Sequence, residues 1–309
     1  MRNLILKRLI LLLPIIWGVA TIVFIITHII PGDPIDLILG ETARPSHREE
    51  LRKAMGLDKP IHQQYFSYMK ELLKGNLGES IHRKEKVSSL IVKKAKASFE
   101  LAFASIIVAM LIAFPLGIAS ARSPGSWIDL TASVIAVIGG SVPVFWLGPI
   151  LIICFSIGTG WFPVSGRTGI ESIILPALTL GASLSAVLMR MIRSSFLEIL
   201  PQEFLATAKA KGLSERRVIF IHAMRNACLP IVTILSLQLG ALLTGTIITE
   251  TVFAWPGVGR LIIQSIAARD YQLVQGCVLF IATVYILTNL LADILYGLLD
   301  PRIRIEQNV

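Results

Sequence analysis

Residues 203–233 read EFLATAKAKGLSERRVIFIHAMRNACLPIVT, a basic, helix-forming stretch around Gly212 that runs straight into the apolar Leu229-Pro230. Phe204, Leu205, Ala208 and Lys211 share one face at helical spacing. Gly212 breaks that helix, and Ser214 is placed to cap a second one carrying Val218, Ile221, His222 and Arg225. From Arg190 to Arg225 there are seven basic residues against the acids Glu198, Glu203 and Glu215, a net charge of +4. Two short amphipathic helices need something to bury their apolar faces. The expected occupant is a soluble partner whose acids meet Lys209, Lys211, Arg216 and Arg217. Gly212 admits a backbone turn that a β-carbon would strain. The alternative is a basic connector that only satisfies topology.

The rest of the chain explains why such a hairpin stands out. Of 309 residues, 54% are hydrophobic, mean hydropathy is +0.72, and only 16% are charged. Soluble domains carry about 25% charged residues, so the composition points to the bilayer. The formal charge of +9 comes with no basic stripe interleaved with aromatics, so no nucleic acid is expected as a partner. Cys154, Cys228 and Cys277 lie in or beside apolar runs and read as small packing residues.

A membrane-crossing helix takes about 20 apolar residues. Six segments qualify: 9–30, 99–121, 130–157, 173–189, 229–249 and 273–299. The third holds Gly139-Gly140, Pro143 and Pro149, which predicts a kink or break. The first follows Arg2, Lys7 and Arg8 but is longer than a signal core and reads as retained. The fold class is therefore all-α: a polytopic membrane protein of six transmembrane helices, with a small helical extracytoplasmic segment and a cytoplasmic hairpin. The chain divides into 1–98, the first helix plus that segment, and 99–309, a five-helix core that includes the loop 194–228.

Charge gives the orientation. With the N-terminus inside, inner segments hold thirteen Lys and Arg, including Arg122, Arg190, Arg193, Arg302 and Arg304. Short outer loops then hold three, Arg167, Arg260 and Arg269. The positive-inside rule puts both termini in the cytoplasm. The expected outer segment 31–97 opposes this with thirteen basic residues and nine acids, Lys93, Lys94 and Lys96 abutting span two. Segments longer than roughly 60 residues escape the rule, and this one is at that limit.

Within that segment, Ser46-His47-Arg48-Glu49 fits a capping box and Gly56 a helix end. Pro60 can open a second helix with the stripe Ile61, Tyr65, Tyr68, Leu72 and Leu73, ended by Gly75. The segment reads as a helical cap, either packing on its own chain or docking an outer partner. The outer loop 251–272 contains Trp255-Pro256-Gly257. It is a candidate outer gate or partner contact, with an ordinary rigid turn as the alternative.

Absences narrow the chemistry. No glycine precedes a lysine, so no phosphate-binding GxxxxGK loop exists. There is no HExxH, no GxSxG and no Cys/His metal set, and no catalytic or metal-ligating residue is assigned. His28 near the end of span one reads as a packed or interfacial residue rather than a ligand. The spans are nearly clear of ionisable groups apart from Asn289 and Asp293, one turn apart in span six. Those two are either a proton or ion relay or an interfacial anchor. Any energy for transport must then come from another subunit or from an ion gradient.

Several stretches together resemble the inner-membrane permease subunits of ATP-binding-cassette importers, in the branch that handles dipeptides, oligopeptides and nickel chelates (dipeptide permease B-type). They are LKRLILLLPIIWGVATIVFIITHIIPGDP, ATAKAKGLSERRVIFIHAMRNACLP, ITETVFAWPGVGRL, RDYQLVQG and NLLADILYGLLDPRIR, in chain order over nearly the whole sequence. The resemblance implies a coupling helix in the loop around Gly212, docked on an ATPase subunit. The residues it marks are Glu203, Phe204, Ala206, Ala208, Lys209, Lys211, Gly212, Arg216, Arg217 and Arg225. The importer-wide pattern is Glu-Ala-Ala, three residues, then Gly. Here Ala206 stands where that pattern has Glu, and the distance from Gly212 to Leu229-Pro230 is longer.

The partners implied are a homologous second permease, two ATPase subunits that hold ATP and Mg, and an extracytoplasmic substrate-binding protein. The outer contacts Trp255, Pro256, Gly257 and Tyr65 would face that protein or the gate. No cofactor and no covalent chemistry are expected on this chain, and its place would be the bacterial inner membrane. The alternative is a stand-alone secondary transporter driven by an ion gradient, which would require Asp293. A membrane scaffold without transport is the third reading.

Overall fold

The computed structural model describes residues 2–29, 35, 44–54 and 56–299. Residues 31–34, Pro-Gly-Asp-Pro, and the basic Arg302 and Arg304 lie outside the described residues. In chain order the helices are α1 (Arg2–Ile29), α2 (Pro45–Ala54), α3 (Ile61–Leu73), α4 (Val87–Arg122), α5 (Trp127–Ser141), α6 (Val144–Leu151) and α7 (Ile174–Ile199). Then follow α8 (Glu203–Ala210), α9 (Met224–Val252), α10 (Val258–Ala267) and α11 (Tyr271–Leu299). A π-helical turn, Ile152–Ile157, continues α6. Among the described residues there is no β-strand, only the isolated bridge between Glu79 and Lys86.

Among the described residues five helices are long and apolar enough to cross a membrane, and six spans result if the bent pair α5–α6 counts as one. The bent pair is the third expected span. Its halves meet at 103°, and α5 alone, at 15 residues, rises only about 22 Å against a hydrocarbon core of about 30 Å. Pro143 caps the second half in an extended conformation, which places the break at 142–143. Gly139 and Gly140 do not break the chain. They let α5 approach α7, where added β-carbons would lie 3.3 Å from the Ala182 carbonyl oxygen and 3.1 Å from Ala186 Cβ.

Helix ends differ from the hydropathy windows in one direction. α4 begins at Val87 rather than 99, so Lys93, Lys94 and Lys96 are helical and the division at residue 98 falls inside α4. At 36 residues α4 is about 54 Å long, so its basic first turns stand clear of a core of about 30 Å. Lys93 is stabilised there by an ion pair with Glu85 at 2.8 Å. α7 likewise runs on to Ile199, ten residues past the apolar window.

The core is built on α4 against α7, the most extensive helix pair. Two glycines, one per helix, set their separation. A β-carbon at Gly117 would meet Ile192 Cγ2 at 2.7 Å, and one at Gly181 would meet Val108 Cγ1 at 2.7 Å and the Ser105 carbonyl oxygen at 2.9 Å. In a bilayer, lipid is as apolar as leucine, so helices associate through this kind of close backbone packing. Buried Ser105 and Thr179 return their hydroxyls to the carbonyls of Leu101 and Leu175, both at 2.7 Å, which leaves no unpaired polar group between the helices. α9 packs on α7 and α11, and α1 lies along α11.

At the end of α1, α2 and α3 form the cap. Ser46 lies inside α2 rather than ahead of it, so the expected capping box is not made; the Arg44 carbonyl accepts from the amides of His47 and Arg48 instead. Pro45, with its fixed φ, opens that helix better than Ser46 would. Gly56 and Gly75 follow the two helices as read. Of the α3 stripe, Tyr65 and Tyr68 pack on Phe24 at ring distances of 5.3 and 5.6 Å, and Tyr65 Oη lies 2.8 Å from Thr21 Oγ1. Ile61 and Leu73 stay 63% and 90% exposed, and Tyr65, Tyr68 and Leu72 are partly covered, so this chain buries none of the stripe fully. Burial pushes the Tyr68 phenol up to about 12. His28 is exposed but hydrogen-bonded, with Nδ1 2.8 Å from the Phe24 carbonyl oxygen and Nε2 3.1 Å from Gln64 Oε1. The cap is tied to the start of α11 by Ser80 Oγ, which donates to Asp270 Oδ2 at 2.5 Å.

The α4–α7 contact yields a stability test. Gly117→Leu and Gly181→Leu each force the pair apart, at about 1–3 kcal/mol for overpacking. Gly18→Leu adds a side chain where nothing lies within 4 Å. In detergent, the thermal midpoint of the first two should fall and that of the third should match the wild type. Equal midpoints for all three variants would remove the packing argument.

Candidate functional site

The hairpin begins where α7 ends. Pro201 halts α7, Gln202 is extended, and Glu203 starts α8. The turn that ends α8 is closed by three amide bonds: Lys211 N to the Thr207 carbonyl, Gly212 N to Lys209 and Leu213 N to Ala208, at 3.1, 2.9 and 3.3 Å. Gly212 sits at φ +81°, in the left-handed region, with nothing within 4 Å of an added β-carbon. Gly212 is therefore required for backbone conformation alone, and the expected turn is present.

The second helix of the hairpin is not a separate element. Glu215–Arg217 and a π-helical segment, Val218–Ala223, pass directly into α9. Ser214 is extended and makes no side-chain cap bond. The apolar face also differs from expectation. Leu205, Ala208, Val218 and Ile219 are buried by this chain itself, in one cluster with Ile118, Leu188, Ile192 and Phe196. Ala208 is thus a packing residue, out of reach of a partner. The face left to solvent carries Phe204, Phe220 and Ile221, 43%, 59% and 50% exposed, among the exposed Glu203, Ala206, Lys209, Lys211, Arg216, Arg217 and Arg225. Helical spacing missed this because it cannot tell which of two apolar stripes the body of the protein will cover.

One bond fastens the hairpin to the helices behind it, and a second ties two of those helices to each other. Arg122, at the end of α4, pairs with Glu215 at 2.6 Å on the surface, where such pairs contribute about 0–1 kcal/mol. The other bond is partly buried. Arg193 of α7 holds Asp129 of α5 through Nε and Nη2 at 2.7 and 2.8 Å. Asp129 also accepts from the Gly125 amide at 2.9 Å and from Ser120 Oγ. The sequence reading took Arg193 for an ordinary interfacial cation and passed over Asp129, which stands one residue before the third apolar window.

The opposite end holds the Trp255-Pro256-Gly257 turn. Trp255 is 1% exposed, packed with Leu101, Leu180 and Leu242, and its Nε1 donates to the Ala97 carbonyl at 2.8 Å. It is a core residue, not a surface one; Arg167 lies over its ring at 6.0 Å. The turn is organised by Glu250, fully buried, which the sequence reading missed one residue past the fifth window. Its carboxylate accepts from Ser98 Oγ at 2.6 Å and the Arg260 amide at 2.9 Å. A β-carbon on Gly257 would sit 2.2 Å from that carboxylate, which accounts for the glycine. The rest of the expected outer loop is the helix α10, with Val258, Leu261 and Ile262 buried. Both missed acids directly flank an apolar window, where an ionisable residue was a signal worth following.

Asn289 and Asp293 line a groove of about 660 Å³ whose other walls include Leu12, Ile15, Val19, Ile281 and Tyr285. A relay requires a chain of polar groups across the membrane, and this lining is mostly aliphatic. Among the described residues no three His, Cys, Asp or Glu side chains are grouped as metal ligands. The hairpin presents an exposed apolar and basic surface, and the turn is closed packing around Glu250, an arrangement suited to docking and movement.

Comparison with known proteins gives the same direction. Residues 113–305 match the family described as "Binding-protein-dependent transport system inner membrane component", and residues 1–102 match its N-terminal counterpart. The chain is 41% identical to the di/tripeptide transport system permease protein DppB of Pseudomonas aeruginosa, covering 98% of this chain and 99% of that one. It has the same identity and coverage with the dipeptide transport system permease protein DppB of Escherichia coli K12 and the glutathione transport system permease protein GsiC of Salmonella choleraesuis. The fold is also that of the MetNI methionine ABC transporter in an inward-facing crystal form, with TM-score 0.55 and 20% identity over 69% of this chain and 97% of that one. The glycine-centred hairpin, the five to six apolar helices and the match over both halves of the chain agree: this protein belongs to the family of binding-protein-dependent transport system inner membrane components, the membrane permeases of ATP-binding-cassette importers.

Proposed function

We propose that this chain is one of two permease subunits of an importer for short peptides or a related small solute, driven by ATP hydrolysis on separate subunits. The observation that carries the reading is near-full-length 41% identity to permeases named for dipeptide, di/tripeptide and glutathione transport. A second, homologous permease completes the pathway, two ATPase subunits holding ATP and Mg bind below, and a substrate-binding protein delivers cargo above. Both termini and the hairpin lie on the cytoplasmic side of the inner membrane, as the distribution of Lys and Arg over short loops supports. The hairpin's exposed Phe204, Phe220 and Ile221, ringed by Lys209, Lys211, Arg216 and Arg217, suit a groove with an apolar floor and acidic rim. Closure of the ATPase pair then pulls on the hairpin and opens the pathway outward. No covalent step falls to this chain.

Gly212→Asp tests the coupling. A side chain held at φ +81° costs about 1–3 kcal/mol, and a carboxylate is added to a face that must meet acids. The chain should reach the membrane at near-normal level, while ATPase subunits no longer co-purify with it and peptide uptake falls at least about tenfold, the equivalent of 1.4 kcal/mol in binding. Retained ATPase and uptake would make the hairpin a mere connector.

The energy source is tested by collapsing the membrane potential while ATP is maintained. Uptake should continue, and Asp293→Asn should leave it unchanged. Immediate arrest with ATP intact would favour an ion-driven carrier.

A further inference from the structure

We infer that Ser120, Asp129 and Arg193 are positioning residues that bind the hairpin and the inner ends of α4, α5 and α7 into one rigid lever; the inference rests on the coupling role proposed for the hairpin. The three residues come from three helices. Arg193 Nε lies 3.0 Å from Ser120 Oγ and 2.7 Å from Asp129 Oδ1, and Nη2 lies 2.8 Å from Oδ2. The Gly125 amide adds a bond at 2.9 Å to Oδ2, and Ser126 Oγ accepts from the Asp129 amide at 3.3 Å, capping α5. With Ser120 Oγ also donating to it, the carboxylate is saturated by donors from the end of α4, the loop after it and α7.

Its position matters as much as its bonding. Ile192 and Phe196, on either side of Arg193 in α7, belong to the apolar cluster that buries Leu205, Ala208, Val218 and Ile219 of the hairpin. Ile118 and Ala121, flanking Ser120, and Ala132, three residues after Asp129, belong to the same cluster. Apolar contact is non-directional and allows helices to slide. A planar guanidinium gripping a carboxylate with two parallel bonds fixes both direction and register. The cluster therefore holds the hairpin against the body, and the lock stops α7 from slipping past α5 when the hairpin is pulled. Without it, hairpin movement is absorbed where the helices meet.

The experiment measures distances between nitroxide labels in the complex purified from native membranes, with Cys154, Cys228 and Cys277 replaced by alanine. One pair, Ala210→Cys and Trp127→Cys, spans the lock between two exposed positions. The other, Ala210→Cys and Ile266→Cys, links the hairpin to α10 at the opposite end. In the wild-type background the first distance should be a single narrow peak that stays fixed when ATP and vanadate are added, while the second changes. With Asp129→Asn the first pair should lose its narrow peak and shift with nucleotide. Ser120→Ala, which leaves the Arg193 fork in place, should broaden it less, and it carries the test if Asp129→Asn does not insert. A first distance that moves with nucleotide in the wild type, or stays narrow in both variants, overturns the lever. A second distance unmoved in the wild type overturns the coupling reading, and the width of the first pair still judges the lock.

Discussion

Where α4 crosses α7, the two backbones come close enough that neither Gly117 nor Gly181 has room for a β-carbon. Lipid supplies no hydrophobic force to bring two such helices together, so their shape must do it. The rest of the molecule is hung on this pair. α5 lies over α7 at Gly139 and Gly140, again through small residues, and α9 closes the other side. Because the axes are close, Ser120 of α4 reaches Arg193 of α7 directly, and Ser98 of α4 makes a like bridge to Glu250 of α9. A wider α4–α7 crossing would take Ser120 away from the Arg193–Asp129 pair.

The two ends of the bundle use their buried carboxylates in the same way. Asp129 gathers donors from α4, α7 and its own N-terminal loop, and Glu250 gathers the end of α9, the start of α10 and Ser98 of α4. Each acid fixes a change in chain direction beside the membrane surface. Neither is arranged to exchange protons along a path, and the Asn289–Asp293 groove is mostly aliphatic. The polar groups inside this protein serve geometry, which is what a subunit powered from outside requires.

Much of the architecture could be read from hydropathy and from the positions of Gly and Pro. The six apolar windows all correspond to helices, and the break in the third and the turn at Gly212 were signalled by Pro143 and by a lone glycine between two basic runs. What sequence did not reveal has a common physical cause. Hydropathy marks where a helix meets lipid, not where it ends, so the amphipathic start of α4 at Val87 and the end of α7 at Ile199 were cut off. Asp129 and Glu250 fell one residue outside their windows for the same reason. The hairpin's covered face and the burial of Trp255 depend on which distant helix arrives there, and local spacing carries no information on that.

The surface formed by Phe204, Phe220 and Ile221 is where an ATPase subunit would bear on this chain. The most direct measurement places a photoreactive amino acid at Phe220, 59% exposed at the hairpin, and irradiates intact membranes. The account predicts a cross-link to a nucleotide-binding ATPase subunit that changes in yield when ATP and vanadate are added. Cross-links to lipid or to other copies of this chain, with none to an ATPase, would contradict it.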